Sequence, residues 1–352
     1  MRKTFFHNFI AFLLGCFLLI PLFLISEIIY RPIYKKYFMI HIKEDPPITI
    51  YTEKKQKKLN ANIQGKSVIK KGTYPPITFT YSIDEKGRRK TYQSYGHEKK
   101  FNVLFVGCSF TFGTGVNDEE TFPSQFAIRN PHCNVYNYGI PGGSLQEIYL
   151  TTLDPKFAED IQNLPTVVVY TFIFNHMKRL IGNWSIIGRW GRYLPNIEVS
   201  NGELHNLGPF ATTKPFEFFL ANNLFKSTLI STFLDHTSID YPSHFKEKDF
   251  ELLHLIILKI QENLSQKLSD VHMVFLFFPG STKVIPELYN YLTLQNKYMV
   301  IDYLKDINEI KILRELEERK EHKFPDGHPK PIIYSYLAEW LTEDLKNRKI
   351  IP

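Results

Sequence analysis

The sequence predicts a parallel three-layer α/β domain behind a single amino-terminal membrane helix. Three observations predict it. From about residue 101 onward, short apolar β-branched runs alternate with segments of helical spacing, the pattern of a parallel sheet covered on both faces. One of these runs, Thr166-Val167-Val168-Val169-Tyr170-Thr171-Phe172, is continuous enough to be buried on both sides and so to lie centrally. The stretch 9–29 is almost wholly apolar and long enough to cross a bilayer as a helix.

The membrane segment comes first in the chain. Its single proline, Pro21, is tolerable in a transmembrane helix. A cleaved signal peptide is the alternative, but the run is long for that and lacks a small-x-small site. Leu13-Leu14-Gly15-Cys16 faintly resembles a lipoprotein box, yet apolar residues continue to position 25. Arg2 and Lys3 flank one side, and Arg31, Lys35 and Lys36 the other, so flanking charge barely sets orientation. We expect residues 1–39 to be a retained single-pass anchor with the large domain outside the cytoplasm, periplasmic or at the cell surface.

Residues 40–100 read as a stalk plus an edge hairpin. Pro46-Pro47 and Pro75-Pro76 punctuate the segment, and Lys54-Lys55-Gln56-Lys57-Lys58 reads as a solvated charge run. Short strands are expected over 48–51 and 77–81. The main domain, 101–352, opens with a strand over 102–106 and a serine loop. A helix over 122–128 follows, capped by Thr121, then a strand over 135–138 and a helix over 145–153. Residues 184–210 carry Gly, Asn and Pro without periodicity and read as an inserted loop or small hairpin over the site, within an insertion near 184–215. Further helices are expected over 250–264 and 313–319, and strands over 271–278 and 298–301. Ile332, Ile333, Tyr336, Leu337, Trp340 and Leu341 give the last helix one apolar face.

Bulk properties narrow the partners. The 352 residues are 43% hydrophobic, enough for a sizeable core. The net charge is +7, but the basic residues are dispersed, which argues against nucleic acid and fits an anionic membrane surface or acidic glycan. The three cysteines show no metal-ligand spacing and no disulfide framework. Cys108 and Cys133 fall at opposite edges of the predicted sheet if their strands are parallel neighbours. No metal or cofactor is called for.

The chemistry centres on Gly107-Cys108-Ser109-Phe110-Thr111-Phe112-Gly113-Thr114-Gly115. A serine just past a strand lies at the carboxyl edge of a parallel sheet, where open α/β sheets bind ligands. Ser109 is therefore the candidate nucleophile, with a strand-end capping serine as the bland alternative. A hydroxyl nucleophile needs a base and a group to orient that base. Phe324-Pro325-Asp326-Gly327-His328-Pro329 offers both: His328 as base and Asp326 as orienting carboxylate, although Pro-Asp-Gly is also a turn former. Candidate oxyanion donors are the Ser109 N–H, the Gly142 N–H and Asn175, the last two also readable as a plain turn and a helix cap.

These motifs in this order resemble the SGNH (GDSL-type) hydrolase superfamily. Gly107-Cys108-Ser109 with Thr111 and Gly113 is similar to its first block, and Asn137-Tyr138-Gly139-Ile140-Pro141-Gly142 to its second. Ile173-Phe174-Asn175-His176 stands where the family has Gly-x-Asn-Asp, and Asp326-Gly327-His328 where it has its terminal Asp and His. The resemblance runs from residue 102 to the end. It implies a flavodoxin-like α/β/α fold, ester cleavage or acyl transfer through an acyl-enzyme, and no metal. The resulting expectation is a membrane-anchored serine esterase acting on a cell-envelope carbohydrate or lipid ester. An O-acyltransferase using the same triad, and a non-catalytic scaffold or glycan-binding module, are the alternatives.

Overall fold

The computed structural model describes the backbone of residues 2–52, 56–279, 286–303 and 307–351, and side chains over these ranges from residue 19 on, save 307–309. The chain opens with helix α1 (Arg2–Tyr37). The expected amino-terminal helix is therefore present. Among the described residues no helix is long and apolar enough to cross a membrane, and residues 9–18 of the expected span lie outside the described side chains.

Five strands follow: β1 (Ile40–Asp45), β2 (Thr49–Tyr51), β3 (Lys57–Leu59), β4 (Ile63–Lys71) and β5 (Ile77–Ile83). Strands β1, β4 and β5 form an antiparallel sheet in that order, while β2 and β3 make a separate hairpin. Both expected strands exist, but each pairs with a partner that composition concealed. β4 reads Ile-Gln-Gly-Lys-Ser-Val-Ile-Lys-Lys, polar enough to pass for a loop; it buries one face only and holds Lys66 and Lys70 toward water. Ile48, Leu59, Ile69, Phe79 and Ile83 form the core of this region, and Phe112 of the serine loop joins them.

The main domain starts with β6 (Phe101–Gly107), α2 (Ser109–Phe112) and α3 (Phe122–Arg129). Thr121 caps α3 as expected, its Oγ1 accepting from the Ser124 N–H at 3.3 Å. Next come β7 (Cys133–Gly139), α4 (Leu145–Thr152), β8 (Thr166–Phe172) and α5 (Phe174–Ile181). Ser144 and Glu147 close a capping box on α4. The insertion is larger than the sequence suggested. It contains α6 (Trp184–Ile187), a hairpin of β9 (Pro195–Ser200) and β10 (Glu203–Pro209), then α7 (Phe210–Thr213), α8 (Pro215–Leu224) and α9 (Thr228–Thr237). The chain returns through α10 (Glu247–Ser265), β11 (Val271–Phe277), α11 (Pro286–Gln295), β12 (Met299–Asp302), α12 (Ile307–Glu318) and α13 (Pro331–Asn347).

Five strands make one parallel sheet in the order β12-β11-β8-β6-β7. β8 is its centre, and all seven of its residues are buried. The period of two sorts β6: Val103 and Phe105 pack under α3 and α13, while Leu104 and Val106 pack under α4 and α10. Each fully buried side chain of this kind contributes about 1.5–3 kcal/mol relative to exposure. Cys133 opens β7 and Cys108 follows the end of its parallel neighbour β6, so the two free thiols sit at opposite edges. Glu27 of α1 docks on the start of α9, its carboxylate accepting from the Thr228 and Leu229 N–H groups at 2.7 and 3.0 Å.

Candidate active site

Ser109 is the first residue of α2, at the carboxyl edge of the sheet, and is 8% exposed. Gly107 has φ +156, and a Cβ there would come 2.6 Å from Thr171 Oγ1, with Thr111 Oγ1 closer still. Those two hydroxyls are hydrogen-bonded to each other. Only a glycine lets β6 turn into the serine loop over this pair. The sole hydrogen-bond contact of Ser109 Oγ among the described residues is Cys108 Sγ, at 4.0 Å.

Two residues outside the expected set hold this loop. Arg89 is fully buried and donates to the carbonyls of Phe112 (2.8 Å), Gly113 (2.7 Å), Val116 (2.7 Å) and Thr80 (3.1 Å). It also pairs with Asp118 at 2.8 Å, and its guanidinium lies 4.6 Å from the Phe112 ring centre. Asn137 of β7 donates to the Thr111 and Phe112 carbonyls at 3.1 and 3.3 Å, and accepts from the Gly139 N–H at 2.9 Å. Four carbonyls of the turn that follows the serine, those of Thr111, Phe112, Gly113 and Val116, are thereby anchored from an adjoining strand or segment, which steadies the hydroxyl.

Asp326 and His328 come together as the sequence implied. His328 Nδ1 and Asp326 Oδ2 are 2.8 Å apart, and the carboxylate also accepts from the His328 N–H at 3.2 Å. The Asp326 side chain is 2% exposed and that of His328 20%. Burial works to raise the Asp326 pKa, but the hydrogen bond and charge of His328 outweigh it and hold the carboxyl below its ordinary value. The Pro-Asp-Gly turn is real: the Gly327 N–H donates to the Phe324 carbonyl at 2.9 Å. The turn and the catalytic reading coexist, because the turn aims the carboxylate back at the imidazole two residues on. Lys71 of β4 braces the loop through the Pro325 carbonyl at 2.7 Å.

The His328 ring stacks obliquely on Phe110, centres 5.6 Å apart, and Phe110 is the residue next to Ser109. No hydrogen bond among the described residues links Ser109 Oγ to the imidazole. Such bonds commonly tighten only when substrate arrives.

The oxyanion candidates divide. The Ser109 and Gly142 N–H groups are engaged by no other described residue, whereas the Gly143 N–H is spent on the Ile140 carbonyl at 2.7 Å. Gly142 has φ +68 in the turn between β7 and α4. Asn175 is the second residue of α5, exposed, and its amide makes no hydrogen bond to another described residue. His176 beside it is a core residue: it is 1% exposed, with Nδ1 2.7 Å from the Tyr170 hydroxyl. Burial, and secondarily Arg179, hold His176 well below the usual histidine range, so it is neutral.

The amino-terminal hairpin and the insertion meet beside the Gly142 turn, which Lys57 and Trp190 both approach. Tyr51 of β2 meets Tyr193 of the insertion edge-on, ring centres 5.6 Å apart. Lys57 of β3, read as part of a solvated run, instead reaches the Gly142 turn. The signal was the alternation in Lys57-Lys58-Leu59: Leu59 is buried, so Lys57 shares its inward face. Among the described residues no three His, Cys, Asp or Glu side chains are grouped as a metal ion requires.

No protein-family profile and no curated protein matches the chain. Solved structures that it resembles are named GDSL-family lipolytic proteins, lipases and acetyl xylan esterases. A G-D-S-L family lipolytic protein from Veillonella parvula aligns at 15% identity, over 69% of this chain and 97% of its own, with a TM-score of 0.38. A lipase from a goat rumen metagenome aligns at 15% identity over 69% and 97%, TM-score 0.39. An acetyl xylan esterase from Geobacillus stearothermophilus aligns at 12% identity over 68% and 92%, TM-score 0.37.

Proposed function

We propose that the chain is an SGNH-type serine esterase. Ser109 attacks an acyl ester, His328 takes the hydroxyl proton and returns it to the leaving alcohol, and Asp326 holds the imidazole in the right tautomer. The Ser109 and Gly142 N–H groups, with Asn175, receive the oxyanion, and water releases the acyl-enzyme. The observation that carries this reading is the bond of His328 Nδ1 to a buried Asp326 carboxylate at 2.8 Å, with the imidazole packed on Phe110 beside the serine. That pairing leaves Nε2 as the base and stabilises the imidazolium that forms when it accepts the proton.

Residues 1–39 anchor the enzyme to a membrane, 40–100 supply a side wall of the cleft, and 101–352 carry the triad. The substrate is an ester of a cell-envelope carbohydrate or lipid. An acyltransferase reading is favoured by one feature, the partly open aromatic wall of Tyr51, Tyr193 and Trp190, which suits a sugar acceptor.

The test is turnover of p-nitrophenyl acetate by the full chain beside Ser109→Ala and His328→Ala, with fluorophosphonate labelling of Ser109. Loss of turnover in both variants, by about 10³-fold or more, supports the triad. Full turnover in Ser109→Ala refutes it. Labelling without hydrolysis, and transfer only when a sugar acceptor is added, would select the transferase.

A further inference from the structure

A cationic pair flanks the proposed oxyanion turn without an anion to match it. A Cβ built on Gly142 would stand 3.0 Å from Lys57 Nζ and 3.3 Å from the Trp190 ring, so both lie directly on that turn. Lys57 Nζ is 5.6 Å from the centre of the Trp190 ring and the Arg179 guanidinium 5.3 Å, which brings the two cations to one indole. Arg179 is 5% exposed and donates through Nη1 to the Gly143 carbonyl at 2.6 Å, which fixes it. Its Nε has no hydrogen-bond partner among the described residues, and Lys57 Nζ has neither a hydrogen bond nor an ion pair there. The nearby carboxylate is Glu147, which accepts from the N–H and hydroxyl of Ser144 through Oε2 at 2.9 and 3.2 Å and forms no ion pair with either cation among the described residues. Lys57, Arg179 and Glu147 together carry one net positive charge.

Burying a donor without an acceptor, as at Arg179 Nε, is costly, and the half-buried Lys57 ammonium stands beside it with Glu147 as the counter-charge for both cations. Burial also pulls the Lys57 pKa down, with Glu147 acting against it. Such a cost is offset where a ligand supplies the missing acceptor. We propose that Lys57, Arg179 and Trp190 form a subsite for an anionic oxygen group, a carboxylate or a phosphate, carried by the ester substrate next to its scissile bond. Lys57 meets the anion directly, Arg179 offers its remaining N–H groups, and the 42%-exposed indole covers the adjacent apolar face of the ligand. The subsite rests on the esterase reading for its neighbour Ser109, but ligand binding there does not depend on turnover.

The experiment titrates the full chain by calorimetry with methyl glucoside, methyl glucuronoside and glucose 6-phosphate. The wild type should bind one of the two anions about tenfold to a hundredfold more tightly than the neutral sugar, as expected for a charge-assisted hydrogen bond. Which anion wins identifies carboxylate or phosphate as the source. Lys57→Gln should abolish that preference, Lys57→Arg should keep most of it, and Lys58→Gln, altering the exposed neighbour, should keep all of it. Equal binding of all three sugars, no binding of either anion, or an undiminished preference in Lys57→Gln would overturn the subsite. Should Lys57→Gln fail to fold, Lys57→Arg and the salt dependence of anion binding by the wild type decide, since binding that is indifferent to salt also overturns it. Anion binding that survives while fluorophosphonate fails to label Ser109 would instead sink the esterase reading and leave the subsite standing.

Discussion

Arg89→Met isolates what holds the loop of the proposed nucleophile in place. Methionine keeps an unbranched stem of similar length but removes every guanidinium donor. The carbonyls of Phe112, Gly113 and Val116 then lose a partner in a buried setting, the Thr80 carbonyl loses one in a half-buried setting, and Asp118 loses its ion pair. The Phe112 carbonyl keeps Asn137 and the Gly113 carbonyl keeps the Val116 N–H, each at 3.3 Å, so the Val116 carbonyl is the one of the three left without a partner among the described residues. An orphaned buried acceptor costs about 1–3 kcal/mol and each of the two weakened ones about 0.5–1.5 kcal/mol, about 2–6 kcal/mol together. Against this, a guanidinium with no exposed side chain no longer has to be desolvated, which returns several kcal/mol. Asp118 is 24% exposed and can rehydrate. The net destabilisation expected is about 1–3 kcal/mol, because Asp118 rehydrates and one buried carbonyl is left without a partner. Urea unfolding followed by tryptophan fluorescence reads this directly. Turnover should fall beyond the unfolded fraction, because the freed carbonyls lie within a few residues of Ser109 and a shift of about 1 Å there can cost about 100-fold. Arg89→Lys, with one point donor in place of a fork, should recover only part of either loss. A variant Arg89→Met that loses less than about 1 kcal/mol and retains full turnover would refute the reasoning.

Three further outcomes follow from the site. Asp326→Asn should lower kcat by about 10³–10⁴-fold with KM little changed, since it removes the carboxylate that fixes the tautomer. The Asp326 pKa is depressed in the fold, so its stabilisation is present above the ordinary value of 3.8 and is lost as pH falls through the lower folded value; the urea-midpoint gap between wild type and Asp326→Asn should close in that acid window. On the proposed oxyanion role, Asn175→Ala should cut kcat by about 100-fold while leaving the urea midpoint in place, because the amide is exposed and has no hydrogen-bond partner among the described residues to lose. An unchanged kcat would remove Asn175 from the mechanism. His176 is neutral when folded and protonates near 6.5 when unfolded, so the native state loses stability as pH falls below about 6.5, by at most about 1.4 kcal/mol per pH unit. His254 and His322 shift in the same direction, so the diagnostic is the wild-type curve minus that of His176→Leu, which should slope between pH 6.5 and 5. A flat difference would show that His176 carries a proton in the fold.

What could be read from the sequence was whatever one strand or one turn decides by itself. β8 is legible because seven consecutive residues are apolar or β-branched, and burial on both faces asks for nothing else. Ser109, Asp326 and His328 are legible because the serine follows a strand directly, and the acid and base share one tight turn. The surroundings of the site were hidden because their side chains are positioned by contacts across long separations. Arg89 reads as an ordinary surface charge, and only its meeting with Phe112 and Val116, 23 and 27 residues onward, buries it. Strands β1 and β4 carry the exposed lysines Lys43, Lys66 and Lys70 and so blend into the polar stalk until they pair. Lys57 is the instructive case. Its place among four lysines in five residues, a local composition, argues for solvent, while the two-residue alternation with buried Leu59 argues for the interior. The alternation prevails because a strand turns its side chains by geometry, whatever their charge. A segment outside the parallel sheet thus sets a cation on the Gly142 turn, so the proposed subsite takes its charge from the part of the chain that looked least like an active site.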